Sequence, residues 1–183
     1  MRSRSRPLSL AARSSARRAV ARAAHLETLE PRRLFAVTGA GTGTGLTAQF
    51  FNTTTLTGAS PVLTRTDAQV NFNWGTGSPG GGVSATAFAA RWSGAVQAQR
   101  DEVYTFFISG DDGYRLWVND QLIINNWTTQ TAAVESSGQI ALRAGQVYPI
   151  RLEYFDSTGT AQVSLSWSSP GTPKALLPTS QLY

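Results

Sequence analysis

The sequence contains no cysteine and only one histidine, and charged side chains make up only 15% of its 183 residues. Without cysteine there is no disulfide bond and no thiol chemistry, so a disulfide-rich secreted scaffold and a cysteine nucleophile are both excluded. The chain is instead rich in glycine, with 17 residues, and in aromatic residues, which reach 10% and include five tryptophans. This composition is typical of a globular protein rich in β-strands and not of a disordered one.

The sequence also lacks a long hydrophobic run and a set of residues that could form a catalytic centre. No stretch approaches the about 18 consecutive apolar residues that indicate a transmembrane helix. The single histidine, His25, lies near the N-terminus, so no Ser-His-Asp triad can be assembled in the rest of the chain. The glycine-rich run from Gly75 to Gly82 has no lysine and no helical context, so it predicts a loop and not a phosphate site. We therefore expect a protein that is not an enzyme.

Positive charge is confined to one end of the chain. Residues 1–35 hold nine arginines and two glutamates, whereas the remaining 148 residues hold seven basic and nine acidic side chains. The net charge of +5 therefore belongs to the N-terminal segment, and the rest of the chain is mildly acidic. A nucleic-acid-binding domain carries its positive charge on the folded surface, so we expect no nucleic-acid binding by the folded part.

The N-terminal region divides into an arginine-rich segment, residues 1–37, and a linker of glycine and threonine, residues 38–45. Within the first, LETLEPRRLFA (Leu26 to Ala36) resembles the LEPR-type motif found near the start of many secreted or surface proteins of bacteria. Arg33 and Phe35 depart from the usual leucine run of that motif. The resemblance implies export or surface display through an atypical signal, since arginine interrupts every apolar stretch. The alternative is an ordinary helix end at a proline.

Hydrophobic and polar residues alternate in a series of short segments after residue 45, with the period typical of β-strands. These segments are Leu46–Phe50, Gln69–Trp74, Phe88–Val96, Val103–Ile108, Tyr114–Val118, Leu122–Trp127, Ser137–Leu142, Val147–Phe155 and Ala161–Trp167. Asn119 and Asp120 tolerate the left-handed conformation of a tight hairpin turn. The spacing predicts an all-β fold, an antiparallel β-sandwich or barrel over residues 46–183. From Pro170 onward we expect a loop with a short ordered end.

Two adjacent aspartates, Asp111 and Asp112, stand between glycines in the segment SGDDGYRLWV, where the strand pattern predicts the mouth of a hairpin. Like charges side by side repel unless a cation lies between them. Ca²⁺ takes about six to eight oxygen ligands from carboxylates, carbonyls and water, and two carboxylates suit it. Aspartate and glycine are also common turn residues, and such a turn needs no ion. A cation site and an acidic turn therefore both fit this segment.

Four blocks, in order, resemble the PA14 domain family. They are GLTAQFFN at Gly45, NFNWGTGSP at Asn71, the long block from Phe88 to Trp127, and RLEYFDSTGTAQVSLSW at Arg151. The resemblance covers essentially all of residues 45–183 and implies a β-sandwich. The family occurs in bacterial toxins, glycosidases, glycosyltransferases and adhesins, generally as a non-catalytic module.

In the lectin members of this family, paired aspartates joined by a cis peptide bind Ca²⁺, which then holds sugar hydroxyls. The resemblance implies the same role for Asp111 and Asp112, with the flanking glycines leaving the backbone free to adopt that shape. It also implies a second loop, here FDSTGTA, in which Asp156 is a metal ligand and Ser157 and Gly159 contribute main-chain carbonyls. Because this loop has no aromatic residue to stack on a sugar, the residues support Ca²⁺ binding more strongly than sugar binding.

The five tryptophans invite a carbohydrate-stacking interpretation. All of them lie in strand-like blocks, where large aromatic residues usually fill the interior of a sandwich. The set comprises Trp74, Trp92, Trp117, Trp127 and Trp167. We expect most of them in the core and only Trp127, which has polar neighbours, at a ligand.

The sequence thus favours a non-catalytic, Ca²⁺-dependent carbohydrate-binding module on an exported or cell-surface bacterial protein. The alternative is a structural or protein-interaction β-sandwich with no small ligand. A third hypothesis, that the arginine-rich segment binds nucleic acid or an acidic membrane, concerns residues 1–37 alone.

Overall fold

The computed structural model describes residues 41–183, and the arginine-rich segment with its LEPR-like motif lies outside these residues. Within them the chain forms eleven β-strands and one short 3₁₀ helix. The strands are β1 Leu46–Phe51, β2 Leu63–Asp67, β3 Asn71–Gly75, β4 Phe88–Gln97, β5 Glu102–Asp111, β6 Gly113–Val118, β7 Gln121–Asn126, β8 Val134–Leu142, β9 Val147–Asp156, β10 Ala161–Ser169 and β11 Thr172–Leu176, and the 3₁₀ helix is Thr179–Gln181. In this part of the chain no helix has the length and apolar character needed to cross a membrane.

The strands form two sheets, and every pairing between neighbours is antiparallel. One sheet has six strands in the order β2-β1-β4-β9-β6-β7. The other has five, with β11-β10-β5-β8 in order and β3 paired to β10. The predicted all-β, antiparallel sandwich is confirmed.

The main core lies between the two sheets and follows the alternation seen in the sequence. In β5, Tyr104, Phe106 and Ile108 are fully buried, whereas Val103 is 49% exposed. Leu116 of β6 and Leu152 of β9 meet as a cross-strand pair that is equally buried. One face of each central strand is therefore dry, as expected for two sheets packed face to face.

The predicted hairpin at Asp111 and Asp112 is wrong. The strand β5 pairs with β10 and β8, whereas β6 pairs with β9 and β7 of the other sheet. The chain crosses between the sheets here, because the alternating apolar residues on each side of the aspartates face the same core from opposite sides. The tight turn at Asn119 and Asp120 is present, with φ of 51° and 60°.

Sequence periodicity missed two strands near the edges of the sheets. The strand β2 has two threonines and an arginine among its five residues, and β11, in the segment expected as a loop, carries Pro173 and Lys174. Edge strands need no continuous apolar face, so their pattern is weak. The last residues of the expected linker are also tied to the domain, since the N–H groups of Gly43 and Gly45 donate to the carbonyls of Ser180 and Leu182.

Candidate functional site

The two adjacent aspartates lie where the chain passes from one sheet to the other. Asp111 is the last residue of β5, and Asp112 is the single residue between β5 and β6. The peptide bond that joins them is cis, as the family resemblance implies. Both side chains are withdrawn from solvent, with 4% and 2% of their surfaces exposed.

Asp112 holds two loops by accepting hydrogen bonds from their main chains. Its Oδ1 accepts from the N–H of Gln130 at 2.6 Å, and its Oδ2 accepts from the N–H of Ser157 at 2.7 Å. Its carbonyl oxygen accepts from Nε2 of Gln130, also at 2.6 Å. Hydrogen bonds from main-chain N–H groups to a carboxylate are short and strong. Asp112 therefore organises the loops around the site.

Asp111 has fewer partners. Its Oδ2 accepts a hydrogen bond from Oγ1 of Thr160 at 3.1 Å, and its carbonyl oxygen accepts one from the hydroxyl of Tyr154. Burial, together with the charges of Asp156, Asp111 and Asp112, raises the pKa of Tyr154 well above its usual range. The hydroxyl therefore remains a proton donor at any physiological pH.

Asp156, the last residue of β9, is the unusual member of the group. Its side chain is fully buried, and none of the described residues donates a hydrogen bond to either carboxylate oxygen. Burial, followed by the charges of Asp112 and Asp111, raises the pKa of this carboxyl from 3.8 to about 6. Buried carboxylates are almost always paired or hydrogen-bonded. The carboxylate of Asp156 therefore needs a bound cation or a proton to stabilise it.

The donor set fits a hard cation in part. Ca²⁺ and Mg²⁺ prefer oxygen ligands, and this end of the sandwich supplies three carboxylates with no histidine or cysteine among residues 41–183. Within those residues, no group of three or more histidine, cysteine, aspartate or glutamate side chains is arranged to hold a metal ion. The unsatisfied oxygens of Asp156 and the carboxylate of Asp111 would hold the ion, and carbonyls or water would complete its shell.

The second loop is positioned beside the aspartates, but its carbonyls are only partly available. Ser157 donates its N–H to Asp112, and its carbonyl already accepts from the N–H of Ala87 at 3.0 Å. Gly159 is exposed and has φ of 100°, a conformation that favours glycine. Asp156 is thus brought to the aspartate pair, whereas ligation through Ser157 and Gly159 stays a prediction.

The flanking glycines serve a different purpose from the one predicted. Neither Gly110 nor Gly113 has a positive φ. A Cβ added at Gly113 would lie 2.2 Å from Cε1 of Phe155, and one added at Gly110 would lie 2.8 Å from Cδ1 of Tyr114. These positions need glycine because aromatic rings pack directly against the backbone.

Two tryptophans lie outside the main core. Trp127 is half-buried and packs against Phe155, with 4.7 Å between ring centroids, under the guanidinium of Arg115. Its role at a ligand stays a prediction. Trp117, expected in the core, instead lies half-buried on the outer face of the six-stranded sheet, 4.0 Å beneath the guanidinium of Arg151. The β6 alternation explains this, since Leu116 and Val118 face inward.

Sequence reasoning did not identify three residues that shape the site: Gln130, Tyr154 and Thr160. Tyr154 could have been found from the sequence, because it continues the inward-facing alternation of Ile150 and Leu152 in β9 and lies two residues before the end of that strand. Thr160 lies within FDSTGTA itself. Gln130 follows two threonines in an irregular segment, and no pattern there connects it to Asp112.

Residues 43–180 match the PA14 domain, so the chain belongs to that family. Anti-sigma-I factor RsgI3 of Acetivibrio thermocellus is 39% identical over 143 residues, which cover 78% of this chain and 22% of that protein. This chain therefore spans about a fifth of that curated relative.

Two solved structures show the same fold. An anti-sigma factor domain-containing protein from Clostridium clariflavum is 40% identical with a TM-score of 0.70, covering 76% of this chain and 46% of its own. A PA14 sugar-binding domain from an RTX adhesin is 17% identical with a TM-score of 0.61, covering 76% of this chain and 98% of its own. The second comparison concerns the fold alone.

Proposed function

We propose that residues 46–183 form a non-catalytic, Ca²⁺-dependent carbohydrate-binding module of an exported or cell-surface bacterial protein. The observation that carries this proposal is the buried carboxylate of Asp156, which has no hydrogen-bond donor among the described residues. It lies close enough to Asp111 and Asp112 for their charges to raise its pKa. A buried carboxylate whose charged form is destabilised in this way is stabilised by a bound cation.

A sugar is a suitable ligand for such a site because its hydroxyls are neutral and strongly hydrated. A bound Ca²⁺ would offer coordination positions that vicinal hydroxyls can take in place of water. The chain would supply Asp111 and Asp156 as ligands, and Asp112 would hold the surrounding loops in place. The sugar-binding relative from an RTX adhesin shares the fold and supports this ligand class.

The relatives named as anti-sigma factors are matched over only part of their length. Because the matched part is 22% of RsgI3, the regulatory activity of the whole relative does not transfer with the domain. We propose that the module binds an extracellular glycan. The export route, which depends on residues 1–37, is part of this proposal.

The alternative function is a structural or protein-interaction module. It is favoured by the hydrogen bonds of Asp112, which hold two loops and give the aspartate pair a structural role without any ion. Under this alternative, protonation of Asp156 would remove the free-energy cost of burying a charged carboxylate.

A glycan array probed in Ca²⁺ and in EGTA separates the two functions. The proposal expects glycan signals in Ca²⁺ that EGTA abolishes and that Asp156→Asn loses. The matched control is Asp120→Asn, since Asp120 lies in the exposed β6–β7 turn, where asparagine tolerates the same φ. An array that stays blank in saturating Ca²⁺ would favour the structural or protein-interaction module.

A further inference from the structure

Three arginines surround one buried glutamate on the outer face of the six-stranded sheet. The register places Arg91 of β4 and Arg115 of β6 on either side of Glu153 in β9. The guanidinium nitrogens of Arg91 and Arg115 lie 3.0 and 2.8 Å from its carboxylate, and Nε of Arg151 lies 3.8 Å away. We call Arg91, Arg115 and Arg151 the arginine face.

The arginine face carries more positive charge than its single carboxylate neutralises. Both carboxylate oxygens of Glu153 accept hydrogen bonds, one from Arg91 and one from Arg115. Arg151, whose Nε lies 3.8 Å away, donates no hydrogen bond to a residue in 41–183. Its side chain is 46% exposed. Apart from these four residues, the described chain holds four basic and eight acidic side chains. The cationic character of the domain is therefore concentrated here.

Two indole rings restrain the guanidinium groups on this face. Arg151 lies 4.0 Å from the ring of Trp117, and Arg115 lies 4.0 Å from that of Trp127 and 5.4 Å from that of Trp117. A guanidinium stacked on an aromatic ring keeps its donors in one plane, where they match the two oxygens of a carboxylate. Such preorganisation reduces the entropy lost when an anion binds.

We propose that the arginine face binds the carboxylates of an anionic polysaccharide. Arg91 and Arg115 flank Glu153 in one cross-strand row, and Arg151 lies two residues along β9 from that row. The three arginines therefore spread over three adjacent strands about 4.8 Å apart, an extended cationic surface that suits a polymer. The arginine face shares β9 with the candidate site, because this strand carries Arg151 and Glu153 as well as Asp156. The choice of a glycan over an acidic peptide rests on the proposed function. The binding of carboxylates rests only on the arginines and the indole rings of this face.

Tryptophan fluorescence of the full chain, titrated with polygalacturonate in EDTA, tests this inference. All five tryptophans lie after residue 73, so the signal reports on the folded part and not on the arginine-rich N-terminal segment. EDTA removes any contribution from a Ca²⁺ site. We expect saturable binding that weakens with added salt. Arg151→Gln should weaken it about tenfold, the effect of losing a charged hydrogen bond, and the exposed Arg143→Gln should not change it.

Three results would overturn the inference. One is equal affinity in wild type and Arg151→Gln, and another is equal affinity for fully methyl-esterified polygalacturonate. Tighter binding of polyglutamate than of polygalacturonate would make the face a site for acidic peptides instead. Failure of the Ca²⁺ site is distinguishable, because Asp156→Asn should leave polygalacturonate binding in EDTA intact.

Discussion

Gln130 contacts Asp112 twice, through its main-chain N–H to Oδ1 and through its side-chain amide to the carbonyl oxygen, each at 2.6 Å. This pair joins the irregular segment after β7 to the crossover between the sheets. It also leaves Oε1 of Gln130 buried without a partner among the described residues. The segment that carries Trp127 is thus held to the candidate site by two hydrogen bonds, one of which the Gln130 side chain donates.

Removing that side chain should loosen the segment. Gln130→Ala leaves the buried carbonyl of Asp112 without the amide donor, a loss that typically costs about 1–3 kcal/mol of stability. We expect a lower melting temperature by circular dichroism. The control is Gln139→Ala, whose amide makes a solvent-exposed hydrogen bond to Thr105. Equal shifts in the two variants would mean that the contact with Asp112 contributes nothing specific.

Gly113 should not tolerate a larger residue. In Gly113→Ala the new Cβ would meet the ring of Phe155 at 2.2 Å, and such overpacking usually costs about 1–3 kcal/mol. We expect urea unfolding at lower concentration, and partial recovery in the double variant with Phe155→Leu, which makes room. No recovery in the double variant would show that backbone conformation, not packing, requires glycine here.

The stability of the cation-free protein should depend on the charge of Asp156. Its pKa is about 6 in the folded chain and about 3.8 without the fold. The folded state therefore binds this proton more tightly, and the free energy of unfolding falls as pH rises between these values, then levels off. We expect Asp156→Asn to gain stability relative to wild type as pH rises from about 4 to 7.

Urea unfolding in EDTA at several pH values checks this expectation. The variant Asp120→Asn should track wild type, because that side chain is exposed in a turn. Parallel curves for wild type and Asp156→Asn would contradict the raised pKa.

The sequence predicted the fold well because each central strand of this sandwich has one dry face. The period-two pattern around Phe106 and Leu116 reports burial directly. The same pattern could not distinguish a hairpin from a crossover between sheets at Asp111, since both bring inward residues to the same core. Strand pairing depends on distant partners such as β10 and β9, which local periodicity does not encode.

The candidate site was predictable in its acidic residues and not in its supporting ones. Asp111, Asp112 and Asp156 belong to blocks that resemble the PA14 domain. Gln130 reaches Asp112 only because the segment after β7 folds back over the crossover, a tertiary contact 18 residues apart in sequence. The placement of Trp117 was mispredicted because aromatic size alone does not reveal which face of a strand a residue occupies.

Ca²⁺ should stabilise the folded chain if it binds only that state. At about 100 times the dissociation constant, a ligand adds about 2.7 kcal/mol, which shifts the melting temperature by several degrees. We expect EGTA to reverse the shift and Asp111→Ala to remove it. A melting temperature that Ca²⁺ does not change would argue that the aspartates serve the loops alone.

The most direct test of the account is calorimetric titration of Ca²⁺ into the EDTA-treated full chain. We predict saturable binding in wild type and in Asp120→Asn. Asp156→Asn, which replaces the unpartnered carboxylate, should bind at least about tenfold more weakly. Extracellular Ca²⁺ modules bind at about 0.1–1 mM, so the titration should extend to about 10 mM. Absence of binding over that range, or equal affinity in wild type and Asp156→Asn, would contradict the proposed site.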